Sequence, residues 1–263
     1  MNQKDELSVE KANTNVQSVE RTFLLLELLA EKGVSGLSIA SLVQKSGLHK
    51  STVHRLISTM MSMGYVTQDE ESRHYMLTLK TFEIGCRIVN SLSLLSIARP
   101  YLNSLSQTSG EVSHLVIPEG ESIIYAYKAD SHTNTFRMSS REGVRAPMYC
   151  TGVGKAILST LDDQEILQIW NRSKRKDRTF EGGSFSQLMD QIRQVRIRGY
   201  ALDNEENEPG VRCVAAPIVN QEKAAVGAIS ISAPVMRMDN QKILEYAQHI
   251  KHVAHSISVQ MSH

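Results

Sequence analysis

Ser38 to Leu77 reads SIASLVQKSGLHKSTVHRLISTMMSMGYVTQDEESRHYML, and the rest of the chain is arranged around it. Ile39, Leu42 and Val43 fall at i, i+3 and i+4, the spacing of one apolar helix face. Val53, Leu56, Ile57 and Met60 repeat it at i, i+3, i+4 and i+7 in a second helical pattern. Gly47 allows a sharp turn between the two, and Gly64 suits the end of the second. Tyr65 to Gln68 and Arg73 to Leu77 then flank a polar turn, Asp69 to Ser72, as two strands of a ribbon.

The residues turned away from the apolar stripe carry the chemistry. Lys50, Ser51, Thr52, His54, Arg55 and Ser58 make a polar, cationic face of residue types that bond phosphates and base edges. Lys45 and His49 precede it, and Arg73 and His74 lie where a wing meets a nucleic-acid backbone. No Asp or Glu occurs from Gly33 to Gln68, so negative charge is kept off the face that meets a polyanion. Two helices, a turn and a ribbon of this kind read as a winged helix-turn-helix, with double-stranded DNA as its partner.

Charge elsewhere is balanced. Twenty-nine basic and 28 acidic residues give a net charge of +1, which excludes a generally basic coat and leaves DNA affinity to a local patch. Apolar content of 41% and charged content of 22% are those of a soluble globular chain, and 263 residues can form two cores. No apolar run approaches the roughly 18 residues of a membrane span, and MNQKDELSVEKANTN lacks the apolar stretch of a signal peptide. Cys86, Cys150 and Cys213 are odd in number and far apart, so neither a disulfide framework nor a zinc site is expected, and the expected compartment is the cytoplasm.

In chain order, residues 1–15 read as a mobile tail and 16–77 as the DNA-binding domain. Val16, Val19, Phe23, Leu26 and Ala30 predict the buried face of a first helix ending near Gly33. Residues 78–95 predict a linker helix whose wide apolar face calls for a second domain or a second copy of the chain. Residues 96–263 predict an α+β domain. Its expected elements are a helix over Ile97–Thr108 interrupted or opened by Pro100, and strands over His114–Ile117, Ser122–Lys128 and Phe136–Ser139. Helices follow over Gly152–Leu161, Gln164–Asn171 and Phe185–Arg198, strands over Val211–Val219 and Ala224–Ser232, and a final helix over 239–261.

Three segments in order, PMYCTGVGKAIL, DNEENEPGVRCVAAPI and AVGAISIS, together with SGLHKSTVHRLISTM in the reading head, resemble the IclR family of bacterial transcriptional regulators from Val16 onward. RMSSREGVRAPMYCTGVGKAIL and DNEENEPGVRC look most like its KdgR-type branch, repressors of pectin and hexuronate breakdown. The resemblance implies a GAF-like (profilin-like) effector domain, a homodimer that pairs into a dimer of dimers, and no cofactor. It also implies an organic acid held by backbone N–H groups of Gly152 and Val153, by Asp203, Cys213, Ser230 and Ser232, and by apolar walls at Met138 and Val211.

Elementary chemistry is compatible with that assignment. A helix start favours a carboxylate, and Ser230 and Ser232 lie two apart, on one side of a strand. Asp203 suits a ligand hydroxyl or a water, and equally the capping of a turn. A hydroxylated keto acid such as 2-keto-3-deoxygluconate meets these needs better than glyoxylate. The alternatives are an activator or repressor answering another acid such as glyoxylate or an aromatic acid, an enzyme acting on a keto acid, and a dimerising scaffold that binds no small ligand. Against an enzyme stands the lack of any nucleophile elbow or metalloprotease motif. GVGK at 152–155 fails as a phosphate loop, having Tyr149 and Ala156 where Gly and Ser/Thr are required. His249, His252 and His255 lack a carboxylate or Cys at metal spacing. Lys174-Arg175-Lys176, with Arg172 and Arg178, reads as a solvated loop, and Arg137, Arg141 and Arg145 read equally as contacts to a sugar acid and as solvated or intersubunit side chains.

Overall fold

The structure is a computed structural model and describes residues 15–91, 93–130, 138–176 and 183–261. It divides into two compact units between Ile88 and Val89.

The first unit is built on α1 (Gln17–Lys32), α2 (Ile39–Ser46), α3 (Lys50–Ser62) and a ribbon of β1 (Val66–Gln68) and β2 (Tyr75–Leu77). Gly47 closes α2 in the left-handed region at φ 67°, the turn that lets α3 leave at a new angle. All four stripe residues of α3 are buried, against Leu42 of α2 and Leu25 and Leu29 of α1. The ribbon is tied to the helices by Leu37, which exchanges both backbone hydrogen bonds with Tyr75 at 2.9 Å. Each fully buried Leu or Ile contributes about 1.5–3 kcal/mol of apolar transfer, enough for ten such side chains to hold a small core.

The face of α1 differs from expectation. Leu25 and Leu29 point inward, while Val16, Val19 and Phe23 are 63%, 50% and 58% exposed. The run FLLLELLA is apolar on several sides, so its spacing does not choose a face; contact with α2 and α3 does. Helix α4 (Lys80–Ser91) follows, and Leu79 before it, with Phe82, Ile84 and Ile88 on it, are exposed.

The second unit is a six-stranded antiparallel sheet in the order β5-β4-β3-β8-β7-β6. Its strands are β3 (Val112–Glu119), β4 (Ser122–Ala129), β5 (Arg145–Pro147), β6 (Ala201–Asn204), β7 (Val211–Val219) and β8 (Ala225–Pro234). Helices α5 (Ser93–Ser109) and α9 (Asn240–Met261) pack on one face against Val214, Ala216, Ile218, Ile229 and Ile231. Helices α6 (Gly152–Leu158), α7 (Asp163–Lys176) and α8 (Phe185–Arg198) cover the other, against Val116, Ala215 and Ala228. Period-2 alternation along β7 and β8 divides their side chains between two cores. This is the α+β arrangement expected of the effector half.

Four local expectations are corrected. Helix α5 begins at Ser93 and carries Pro100 inside it; burial of Leu94, Leu95, Ala98, Leu102 and Leu105 outweighs a proline cost of about 3 kcal/mol. Met138 and Ser139 are not in a strand, and the rest of the strand expected over 136–139 lies outside the described residues. The edge strands β5 and β6, three and four residues long, were not foreseen. Lys174, Arg175 and Lys176 end α7 rather than lying in a loop. The expected tail over residues 1–14, Leu92 of the expected linker helix and the loop residue Arg178 lie outside the described residues.

Candidate nucleic-acid face and buried cavity

Helix α3 is held by its apolar side, so its other side is fixed toward solvent. Lys50, Ser51, His54, Arg55 and Ser58 are exposed along it and Thr52 is half-buried. His49 is the N-cap residue without a side-chain cap bond; its backbone carbonyl accepts from Thr52 N at 2.9 Å and Val53 N at 3.0 Å, and its imidazole is not spent on capping. Among the described residues, none of Lys45, Lys50, Arg55 and Arg73 is paired with a carboxylate. The unfilled hydrogen-bonding capacity of this face suits phosphate oxygens and base edges.

The wing turn is built by Asp69, whose Oδ1 accepts from Ser72 N at 2.8 Å and Oγ at 2.7 Å, which holds its carboxyl below the usual range. Arg73 sits exposed at the turn with φ 57°. His74 is half-buried, with Nδ1 against the Ser35 carbonyl at 3.1 Å, so it braces the wing on the turn after α1.

In the second unit a small cavity of about 20 Å³, partly open to solvent, lies between the sheet and the start of α6, so a guest larger than a water molecule enters only as its walls part. Met138, Gly152, Val153, Asp203, Val211, Cys213, Ser230 and Ser232 all line it. Register explains the gathering. Asp203 pairs with Cys213 across β6 and β7, Cys213 with Ser232 across β7 and β8, and Ser230 with His114 across β8 and β3. His114, Tyr125, Ser140, Thr151, Asn207 and Glu208 complete the wall and were not foreseen. Period-2 alternation on β3, which puts His114 on one face with Val112 and Val116, is a signal that could have found it.

His114 is 2% exposed. Its Nε2 lies 2.9 Å from Ser140 Oγ, and its Nδ1 lies 3.3 Å from Ser230 Oγ and 3.5 Å from Ser232 Oγ. Burial, with Lys128 nearby, lowers its pKa to about 3, so the ring is neutral and offers one donor and one acceptor. Tyr125 meets it edge-on, with ring centroids 5.2 Å apart. Asp203, 5% exposed, does cap a turn: Oδ1 accepts from the backbone N of Glu206 at 2.9 Å and Asn207 at 3.4 Å. Burial raises its carboxyl to about 6, against the pull of Lys155 and these N–H groups. Burial also raises the thiols of Cys213 to about 11 and Cys150 to about 12, so both stay protonated. These groups can hydrogen-bond a guest, and none is an activated nucleophile.

The start of α6 forms the remaining wall. Thr151 caps it, accepting from Gly154 N at 3.1 Å. A side chain at 154 would place Cβ 2.3 Å from Met148 backbone atoms, so only glycine lets the helix start lie against that segment. Lys155 is 1% exposed and donates to Glu206 Oε1 at 2.6 Å, fixing the 203–208 loop from behind. Glu208 accepts from Ser139 N at 3.1 and 3.2 Å and from Ser139 Oγ at 2.7 Å, clasping the 138–140 segment over the cavity. Arg141 and Arg145 do not line it: Arg141 is exposed and Arg145 pairs with Glu119 at 2.6 Å. Arg137 lies outside the described residues. Among the described residues no group of His, Cys, Asp or Glu is placed to hold a metal ion, and no helix is long and apolar enough to cross a membrane.

A helix-turn-helix head on one unit and an α+β unit with a polar cavity define a DNA-binding transcriptional regulator, not an enzyme. The chain belongs to the IclR family: residues 18–70 match the IclR helix-turn-helix domain, and residues 86–259 match the bacterial transcriptional regulator IclR C-terminal domain. It is 37% identical to the HTH-type transcriptional regulator KdgR of Escherichia coli over 97% of this chain and 96% of that one. It is 32% identical to the transcriptional repressor IclR of Escherichia coli, over 94% and 91% of the two chains. Among solved structures, Thermotoga maritima IclR superposes with a TM-score of 0.78 at 26% identity, over 95% of this chain and 100% of that one.

Proposed function

We propose that this chain is a cytoplasmic, ligand-controlled repressor of sugar-acid catabolism genes, released or retained on its operator by an organic acid, with 2-keto-3-deoxygluconate favoured. Helix α3 enters the major groove. Lys50, Ser51, Thr52, His54, Arg55 and Ser58 make the contacts there, and Lys45, His49, Arg73 and His74 flank it on the phosphates. The functional division runs 16–77 for DNA, 78–95 for the linker and 96–263 for effector and assembly. Exposed apolar side chains at Val19, Phe23, Leu79 and Phe82 support pairing into a homodimer, and pairs of dimers then span inverted half-sites.

One observation supports the effector assignment above the others: the cavity joins a helix start to a floor of hydroxyls and one neutral imidazole. N–H groups of Gly152 and Val153 suit a carboxylate. Ser140, Ser230, Ser232 and His114, which pair with one another around the cavity, can turn donors and acceptors to the hydroxyls and keto group of a six-carbon sugar acid, contacts that a two-carbon acid is too short to collect. Calorimetric titration of the full chain with 2-keto-3-deoxygluconate, pyruvate, glyoxylate and an aromatic acid tests it. The sugar acid is expected to bind tightest and to shift a promoter-fragment gel band. Tighter binding of glyoxylate or the aromatic acid transfers the effector assignment to that acid.

A further inference from the structure

Two carboxylates, Asp203 and Glu208, face the cavity, and among the described residues no lysine or arginine does. The nearest cations are engaged outside it. Lys155 is paired with Glu206, Lys128 with Asp130 at 3.5 Å, and Arg212 donates to Asn204 Oδ1 and the Met238 carbonyl. An organic acid entering as its anion therefore meets negative charge in a space largely withdrawn from water, where like charges are poorly screened.

The two carboxylates are not equivalent. Both oxygens of Glu208 accept from Ser139. The hydrogen bonds to Asp203 all fall on Oδ1. Asp203 also borders the corner where the acid is received: a Cβ on Gly152 would lie 3.4 Å from Asp203 Cβ and 3.2 Å from Cys213 Sγ. We infer that the cavity takes its acid together with one proton, which Asp203 holds on Oδ2 and donates to a carboxylate oxygen of the guest. The inference rests on the cavity being the effector site.

The surroundings of Asp203 support this. Lys155 on α6 favours its charged form, while Glu206 in its own loop opposes it, and burial is the largest influence. Cys213 on β7, Cys150 before α6 and Tyr125 on β4 are all held in their protonated forms by burial, so none carries charge toward it. The free carboxyl already titrates near 6, and a bound anion raises it further. Binding between pH 7 and 8 then takes up close to one proton, and the affinity falls up to about tenfold per pH unit. Below about pH 6 Asp203 carries its proton before the guest arrives, and the affinity levels off.

Calorimetry on the full chain, in phosphate and in Tris at pH 8 and in phosphate and in Bis-Tris at pH 6, reads the proton directly from the buffer dependence of the heat. The probes are 2-keto-3-deoxygluconate, pyruvate and glyoxylate. Uptake of about one proton at pH 8 by whichever acid binds, lost in Asp203→Asn and kept in Glu208→Gln, is the expected result. In Asp203→Asn the side-chain oxygen still caps the turn and the amide donates at every pH, so its affinity becomes independent of pH. Should that variant fail to fold, uptake kept in both Glu208→Gln and His114→Gln assigns the proton to Asp203, and uptake lost in His114→Gln overturns the inference. Binding with no uptake overturns the inference and leaves the effector reading standing. Uptake lost only in Glu208→Gln also overturns it. No binding of any of the three acids at either pH overturns both.

Discussion

Gly154 shows how one missing carbon can set a binding corner. The start of α6 passes against the Met148 backbone at Gly154 and against Cys213 and Asp203 at Gly152. An added methyl at 154 meets Met148 Cα and O at 2.3 Å and Thr151 Oγ1 at 2.6 Å, contacts that only a shift of backbone relieves. Gly154→Ala is expected to cost about 3 kcal/mol, in the range of overpacking with backbone displacement. That lowers the melting temperature of the second unit by roughly 6–12 °C, because about 1 kcal/mol shifts a domain of this size by 2–4 °C. Effector affinity should fall with it. A variant that melts with the parent would mean that the helix start has room to move.

At the scale of the element, α3 separates its two duties by face, so they can be broken separately. Arg55 is exposed and unpaired with any carboxylate among the described residues, while Val53, Leu56, Ile57 and Met60 carry the core. Arg55→Ala is expected to abolish operator binding in a gel shift while leaving the melting curve and effector affinity as in the parent, since surface substitutions cost within about 0.5 kcal/mol. An unaltered shift removes α3 from the groove. The same contrast explains what was legible in the sequence. Elements with one clear period were visible: α3, α8, β7 and β8 were each placed within two residues of their ends. Where the pattern was apolar all round, as in α1, spacing picked a face of which Leu26 packs on the core while Val16, Val19 and Phe23 are exposed. Strands as short as Arg145–Pro147 and Ala201–Asn204 carry too few alternations to register, and each depends on its neighbour in the sheet. In the cavity, the wall residues on β6 to β8 and α6 came from motif resemblance plus period. Tyr125 and Glu208 came only from tertiary contact, and His114, though its strand alternates, was tied to the serines only by register, because strand pairing and the Ser139 clasp are long-range facts.

For the whole molecule, one chain that binds both an operator and an acid must obey reciprocity. If the acid favours one arrangement of the reading heads, the free energy by which it weakens DNA binding equals that by which DNA weakens acid binding. Typical couplings of about 1–3 kcal/mol correspond to roughly 5–150-fold in either affinity. The cavity gives such a coupling a physical lever. Its wall includes the 203–208 loop, held from behind by Lys155–Glu206 and from above by Ser139–Glu208, so a guest that displaces this loop works against defined contacts. We therefore expect the operator-bound chain to bind the acid more weakly than the free chain, by the same factor the acid imposes on operator affinity, at one protomer concentration. Fluorescence anisotropy of a labelled operator with and without saturating acid gives one factor, and calorimetry of the acid with and without saturating operator gives the other. Equal factors identify a single two-state switch. Unequal factors at fixed concentration and salt would show that a change of assembly takes part, because association of the exposed apolar faces of α1 and α4 adds an equilibrium that simple linkage omits.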